Sequence, residues 1–461
     1  MKNQIVVALF LIFAVFIPAQ KPILNIKFSE PLSVFIFVKK LSGHRGDNSF
    51  KSIFQKSKFN TIQYQDLIKK FDSLSLDYTF QFNDYPYGSK LPGMTEALLK
   101  KNLIAASNLS EFKLNSIGLL PNNSINELVW ILSEFTPVYN QLIFEPNCKK
   151  FESQLKDISN EVIKKNISQY FTIGSIFYNS NWDYSIPFEI AFYPLPDSQG
   201  FTAEAFYNNA VCAIENNFDD YDLLISVLLH ESFHMLYDEQ PLKLKKEIDN
   251  YFRKNNSKYS TYAYLLLNEA LATALGNGYV YENLINKADE SDWYNRKYIN
   301  LMAKHIYPMI KEYILQGKSI DKEFIDNYIK SYEKNNPEWI NELDNIMTYR
   351  YMLSDHKKDF DILGQYFPYC SMSESEDHIT DASIEKMQAT PLTKIIIVSK
   401  NNTMQLGLIK RKFKELKSWN YRAEKEFVYN VMLGDKTQMY IINQINTPTE
   451  ALIKDLVQKS K

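Results

Sequence analysis

An apolar stretch interrupted by two histidines and a glutamate constrains the fold of this chain more than any other feature. Residues 223–240 read LLISVLLHESFHMLYDEQ, and His230, Glu231 and His234 stand among leucine, isoleucine, valine and phenylalanine. A helix that is apolar nearly all round belongs in the protein interior. Buried polar groups cost free energy unless a partner satisfies them. The fold must therefore provide a partner for the two imidazoles and the carboxylate.

A metal ion is the partner that the spacing favours. His230 and His234 are four residues apart, which places both rings on one helix face, one turn apart. Two nitrogens so placed can hold Zn²⁺ at about 2.0–2.1 Å. Glu231 is rotated away from His230 and can reach a water on the open side of the ion, as a general base does. The alternative is a pair of core histidines bonded to backbone carbonyls.

Glu269 is the candidate for the third ligand that a catalytic zinc needs beside an open position. It is the only charged residue between Tyr259 and Tyr281. We expect it in the middle of a buried helix from about Thr261 to Leu275, closed by Gly276 in a left-handed conformation. A lone buried carboxylate indicates a functional site unless a buried Lys or Arg pairs with it, and that alternative stays open.

The segment HESFH, followed by NEALA on a later helix, resembles the gluzincin metallopeptidases. The rest of the chain is most similar to uncharacterised secreted bacterial proteins of this type. The resemblance covers about residues 187–276 and implies a peptide or protein substrate. It also implies an antiparallel edge strand that holds the substrate backbone, for which residues 205–214 are the candidate. The implied site consists of the zinc ligands His230, His234 and Glu269 and the catalytic base Glu231.

The chain departs from the family pattern at two points. The 34 residues between His234 and Glu269 exceed the short interval of thermolysin-like enzymes, and Ala272 and Thr273 stand where Ser-Asp would follow. The carboxylate that orients a ligand histidine therefore has no counterpart here. The family also supplies a tyrosine or histidine that stabilises the oxyanion. The conceivable residues for that role are Tyr262, Tyr279, Tyr281, His305 and His378.

The pattern of the whole chain predicts an α+β fold. We expect strands at residues 31–38 and 187–195, and a further strand from residue 201 to about 214. These would belong to a zincin-like core with an N-terminal extension, spanning residues 20–390. The segments that begin at Thr393 and Thr437 each read as a strand followed by a helix. They predict a small α/β region at residues 391–461.

The first 19 residues predict a secretory signal peptide. Lys2 precedes an apolar run from Ile5 to Ile17, and Pro18 and Ala19 follow it, as at a signal-peptidase site. The run is too short to span a bilayer, and no later segment approaches that length. The prediction is therefore export to the periplasm or the extracellular space; an uncleaved anchor is the alternative.

Charge and cysteine content exclude two other classes. A formal net charge of -2 over 461 residues gives no electrostatic support for binding nucleic acid. Three cysteines are too few, and odd in number, for a disulfide framework. One bridge with one thiol and three free thiols are both compatible with the sequence.

Two functions from different classes remain, and the spacing is also compatible with zinc-dependent hydrolysis of a non-peptide amide. The first is an exported zinc metallopeptidase. The second is an exported protein that binds a glycan or a protein partner and keeps the zinc helix as a scaffold. Glu231 favours the enzyme, because a structural zinc needs no general base and is usually closed by a fourth Cys or His ligand.

Overall fold

The computed structural model describes residues 22–82, 84–89, 93–196 and 200–459 and confirms a mixed α+β fold. The predicted signal peptide, residues 1–19, lies outside these ranges. Within them, no helix combines the length and the apolar character needed to cross a bilayer. Cys148, Cys212 and Cys370 are free thiols, which decides between the two cysteine arrangements that the sequence leaves open.

The N-terminal part of the described chain is mainly helical and encloses a hydrophobic core of its own. It begins with strand β1 (Leu24–Phe28) and contains a short hairpin, β2 (Thr79–Phe80) with β3 (Gly93–Met94). A π-helical segment, Asn140–Phe144, joins its two longest helices. The helices are α1 (Glu30–Leu41), α2 (Ser49–Gln55), α3 (Ile62–Ser73), α4 (Thr95–Ala105), α5 (Leu109–Asn115), α6 (Asn122–Tyr139), α7 (Glu145–Lys164) and α8 (Ser168–Tyr178).

The strand predicted at residues 31–38 is wrong, because this segment lies inside helix α1. The Ser29 side chain accepts a hydrogen bond from the Leu32 amide and caps the helix, and Pro31 fits its first turn. The helix is buried nearly all round, so its sequence has no polar face to reveal the helical period. A short, continuous apolar run rich in β-branched and aromatic residues then looks like a strand.

A four-stranded sheet separates this first core from the second. Its order is β1-β4-β6-β5, with β1 and β6 parallel to β4 and β5 antiparallel to β6. Alternate residues of β4 and β6 face opposite cores: Ala191 and Val211 face the first core, and Phe192 and Cys212 face the second. The new strands are β4 (Phe188–Leu195), β5 (Phe201–Phe206) and β6 (Asn209–Glu215).

The predicted strand at 187–195 is confirmed as β4, but the single strand from 201 to 214 is wrong. Tyr207, with a φ of 53°, begins a two-residue turn that divides the segment into the hairpin β5–β6. The expected edge strand at 205–214 is corrected in the same way. The antiparallel edge is β5, whereas β6 lies in the interior of the sheet between β4 and β5.

The helix that carries the HESFH segment follows this hairpin and packs against β5, β6 and α8. It is α9 (Tyr221–Asp238), and the side chain of Asp220 caps its N-terminus by accepting a hydrogen bond from the Leu223 amide. Helix α10 (Leu242–Lys254) leads from it to the helix that carries Glu269, which is α11 (Ser260–Thr273).

Gly276 does not close α11, contrary to the expectation from sequence. The chain continues through a π-helical segment, Ala274–Val280, into α12 (Tyr281–Ile285). Gly276 is needed for close packing: a Cβ atom there would lie 2.6 Å from Cβ, 2.7 Å from Cα and 2.8 Å from the backbone nitrogen of His230. The absent side chain lets the π-helical segment contact the backbone of α9 directly.

The C-terminal half of the chain adds helices α13 (Lys297–Leu315), α14 (Lys322–Asn335) and α15 (Leu343–Ile346) and then a five-stranded sheet. The sheet has the order β10-β11-β9-β7-β8. The strand–helix pairs predicted from Thr393 and Thr437 are confirmed. Strands β7 and β8 precede residue 391, so the sheet extends beyond the region 391–461. Its elements are β7 (Tyr349–Ser354), α16 (Lys357–Tyr366), β8 (Met372–Glu376), α17 (Asp381–Ala389), β9 (Thr393–Val398), α18 (Asn402–Lys412), β10 (Phe427–Met432), β11 (Gln438–Asn443) and α19 (Thr449–Lys459).

We predict that Gly276→Ala destabilises the protein by about 1–3 kcal/mol, the usual cost of overpacking, because the new methyl group collides with the His230 backbone. Gly364→Ala is the matched control, since a Cβ atom at this helical glycine meets nothing within 4 Å. Urea unfolding of both variants measures the difference. Equal stability of the two variants would contradict the close contact.

Candidate metal centre

Helices α9 and α11 bring the three predicted ligands together. One side-chain atom from each of His230, His234 and Glu269 lies within 4.8 Å of the others. The two Nε2 atoms are 3.1 Å apart. Glu269 Oε1 lies 3.6 Å from His234 Nε2, and Glu269 Oε2 lies 3.9 Å from His230 Nε2. The predicted residues thus converge on one point although 34 residues separate His234 from Glu269.

These distances fit a tetrahedral cation. Two ligand atoms at about 2.0–2.1 Å from a tetrahedral ion are roughly 3.3 Å apart, close to the observed separations. A direct hydrogen bond between the two rings also explains the 3.1 Å distance. It does not explain Glu269 Oε2, which is buried and has no hydrogen-bond partner. A carboxylate whose two oxygens each face one imidazole, and whose buried oxygen has no partner in the described chain, is the arrangement that a cation satisfies.

Asn268 orients the second histidine. His234 Nδ1 lies 3.0 Å from Asn268 Oδ1, so the ring donates its Nδ1 proton to the amide oxygen and turns the Nε2 lone pair toward the cluster. This role falls to the asparagine immediately before Glu269, not to the carboxylate that gluzincins use. This role of Asn268 is not among the predictions from sequence. The signal that could have indicated it is an amide beside a lone carboxylate in an apolar helix.

Burial and mutual charge set the protonation of the cluster. Burial, and then the neighbouring His234, lower the pKa of His230 well below its usual range, which leaves a neutral ring with a free lone pair. Burial also acts to lower the pKa of His234, but the charges of Glu269 and Glu231 outweigh it and raise that pKa. Two carboxylates and two imidazoles therefore share one poorly hydrated space.

Glu231 lies beside the ligand cluster but is not one of its members. It lines the same cleft as the three ligands, as its position on the helix predicts. Burial raises the pKa of its carboxyl to about 7, with Glu269 adding to the rise. His234 and the backbone amide of Ala205, on the edge strand β5, act in the opposite direction. The Glu231 carboxyl group therefore interacts both with the ligand cluster and with the edge strand.

The cleft has a volume of about 450 Å³. Strand β5 and helix α9 form one side of it, and the segment between α12 and α13 forms another. The residues that line it beside the ligands and Glu231 include Ala205, Val227, Met235, Trp293, Tyr294 and Asn295.

Tyr294 is the tyrosine that lines this cleft among the described residues. It is not among the tyrosines considered from sequence. Its ring stacks on that of His230, with centroids 6.0 Å apart and planes inclined by 26°. Burial raises its pKa, and the charge of Glu269 and the side chain of Tyr369 raise it further, so the phenol stays protonated. Tyr294 precedes α13 in a segment without periodicity, and no local sequence signal marks it.

None of the five residues considered for the oxyanion role lines the cleft. Tyr262 is fully buried, and its hydroxyl bonds to Thr393 and to the Gln438 amide. His305 lies beside Asn336 on the far side of α13, and His378 lies beside Asp377. Tyr279 packs against Tyr170, and Tyr281 begins α12.

Comparison with protein-family models, with curated proteins and with solved structures finds no match to this chain. The resemblance to gluzincins therefore rests on the sequence segments HESFH and NEALA alone.

We predict that the purified chain binds about one zinc ion and that His234→Ala abolishes this binding, because the substitution removes one of the three converging ligand atoms. Elemental analysis after dialysis measures the metal. His305→Ala is the matched control, since this histidine lies outside the cluster. Zinc retained in full by His234→Ala would contradict the assignment of the ligands.

Proposed function

We propose that this chain is an exported zinc-dependent metallopeptidase of the gluzincin type, with a zincin-like core. The convergence of His230, His234 and Glu269 on one point, with Glu231 in the same cleft but outside the ligand set, carries the proposal. A catalytic zinc site has this composition: three protein ligands, an open position and a nearby base. Export rests on the predicted signal peptide, which sends the chain to the periplasm or the extracellular space.

Zinc held there supplies Lewis-acid activation of water and of the substrate carbonyl. Glu231 takes the proton of the attacking water and returns it to the leaving amine, so that one carboxyl group acts as base and then as acid. His230, His234 and Glu269 hold their positions through the packing of α9 against α11, and Asn268 keeps His234 in the required tautomer.

Strand β5 is suited to binding the substrate backbone. It forms the edge of the four-stranded sheet, and its residue Ala205 lines the cleft next to Glu231. An extended peptide can add to such an edge through main-chain hydrogen bonds. A peptide bound in this way would have a peptide bond next to the metal ligands. The arrangement therefore supports a peptide or protein as substrate.

Tyr294 is suited to donating a hydrogen bond to the oxyanion that forms when water adds to the peptide carbonyl. Its ring stacks on the ligand His230, the residue lines the cleft, and its raised pKa keeps the hydroxyl protonated. The alternative of a binding protein with a structural zinc has less support. In the described chain, no fourth histidine, cysteine or carboxylate joins the three clustered ligands.

We predict that Glu231→Gln lowers the rate of peptide hydrolysis by about 10²–10⁴-fold, the usual contribution of a general base, and leaves the zinc content unchanged. A library of internally quenched peptides measures the activity. Glu247→Gln is the control, because Glu247 is a half-buried residue of α10 that pairs with Lys243 and does not line the cleft. Full activity in Glu231→Gln would exclude the proposed mechanism.

We predict that Tyr294→Phe lowers kcat by about 10²–10³-fold, as expected for the loss of one oxyanion donor, with KM and zinc content little changed. Tyr281→Phe serves as the control, because this tyrosine does not line the cleft. Steady-state kinetics on one cleaved peptide separate kcat from KM. A variant with a higher KM and an unaltered kcat would assign Tyr294 to substrate binding instead.

A further inference from the structure

A second, smaller cavity adjoins the cleft of the candidate metal centre. Its volume is about 280 Å³. Leu266, one turn before Glu269 on α11, lies on its wall, and Asn295 lines both the cavity and the cleft. The remaining wall comes from the start of α13 and from the residues around β7 and after α16.

The side chains of Tyr294 and Tyr369 form the boundary between the two spaces. Tyr294 stacks on His230 in the cleft, and Tyr369 lines the cavity. The two side chains interact, and burial, followed by the charge of Glu269, raises the pKa of both. The cavity therefore adjoins the cleft through these two rings and through Asn295, which lines both spaces.

The cavity has aromatic walls. An apolar stem or ring is stabilised when it leaves water for such a surface, so the walls suit the carbon atoms of a substrate residue. The rings that face the cavity are Tyr298, Tyr349, Tyr366, Phe367 and Tyr369.

Arg296 is a cation of this cavity without an acidic partner in the part of the chain that the structure describes. Its guanidinium carbon lies 4.0 Å from the ring centroid of Tyr369, so the group is stacked on a ring of the cavity wall, and the preceding residue, Asn295, lines the cleft as well. Stacking leaves the N–H edge of a guanidinium available, and that edge matches a carboxylate in two parallel hydrogen bonds.

The other charges around the cavity are arranged differently. Lys297 is neutralised by Glu342 at 2.8 Å. Asp344 also lines the cavity. Of the two cations that line it, Arg296 and Lys297, Arg296 is therefore the one that no carboxylate of the described chain pairs with.

We propose that this cavity takes the substrate residue next to the scissile bond and that Arg296 binds a carboxylate of that residue. The inference rests on the proposed peptidase function and assigns a substrate class to it. The carboxylate can be an acidic side chain or the free C-terminus of a peptide, because the guanidinium recognises both in the same way.

Four versions of one cleaved peptide test the proposal. They carry Glu or Gln at the residue next to the scissile bond, each with a free or an amidated C-terminus. The zinc-loaded wild type should cleave the version with the recognised carboxylate at a KM about 10-fold or more below that of its neutral counterpart, as expected for a charge-assisted pair of hydrogen bonds. If the change from Glu to Gln raises KM, the recognised carboxylate is the acidic side chain. If amidation raises KM, it is the free C-terminus.

Arg296→Gln should abolish this preference by raising KM for the charged peptide, with kcat, zinc content and melting temperature unchanged, and Arg296→Lys should restore part of it. Arg411→Gln makes the same change at an exposed arginine of α18 that does not line the cavity, and it should leave the preference intact. The inference would be overturned, and the proposed function retained, if the wild type cleaves the peptides without a preference. The same holds if the preference survives Arg296→Gln. A zinc-loaded wild type that cleaves no peptide would overturn it together with the proposed function.

Discussion

The close packing of α9 against α11 and the π-helical segment is the constraint on which the candidate site depends. Gly276 contacts the backbone of His230, and this contact lets the π-helical segment, which continues α11, lie at close distance from α9. At that distance the Glu269 carboxylate approaches both histidines, and the Asn268 side chain bonds to Nδ1 of His234. As a consequence, one carboxylate oxygen of Glu269 is buried and has no hydrogen-bond partner in the described part of the chain. Burial stabilises the helices and at the same time concentrates charge that a cation would neutralise.

Much of the ligand set could be predicted from sequence because it depends on local spacing and on contrast with the surroundings. His230 and His234 share a helix face by periodicity alone, and Glu269 stands out as the single charge in an apolar helix. Strand β4 and the two C-terminal strand–helix pairs were predictable for a similar reason, since each has clear turn signals at its ends. The resemblance to gluzincins, the identity of the metal and the enzymatic activity stay predictions.

The rest of the site comes from tertiary structure. Helix α1 was mistaken for a strand because it is buried on all sides and shows no period. The hairpin turn at Tyr207 was missed because it contains no glycine and depends on a positive φ at a tyrosine, which is uncommon. Tyr294 and Arg296 lie in the segment before α13 and reach the cleft and the cavity only because α13 packs against α11 and the π-helical segment. No pattern within that segment indicates where its side chains lie.

The most direct test of the metal centre is a crystal structure of the zinc-loaded protein with diffraction data on both sides of the zinc absorption edge. The account predicts one anomalous peak between α9 and α11, bonded to His230 Nε2, His234 Nε2 and a carboxylate oxygen of Glu269 at about 2.0–2.2 Å. Glu231 should face the open coordination position without binding the ion. Absence of a peak there, or zinc bound by other residues, would contradict the central claim.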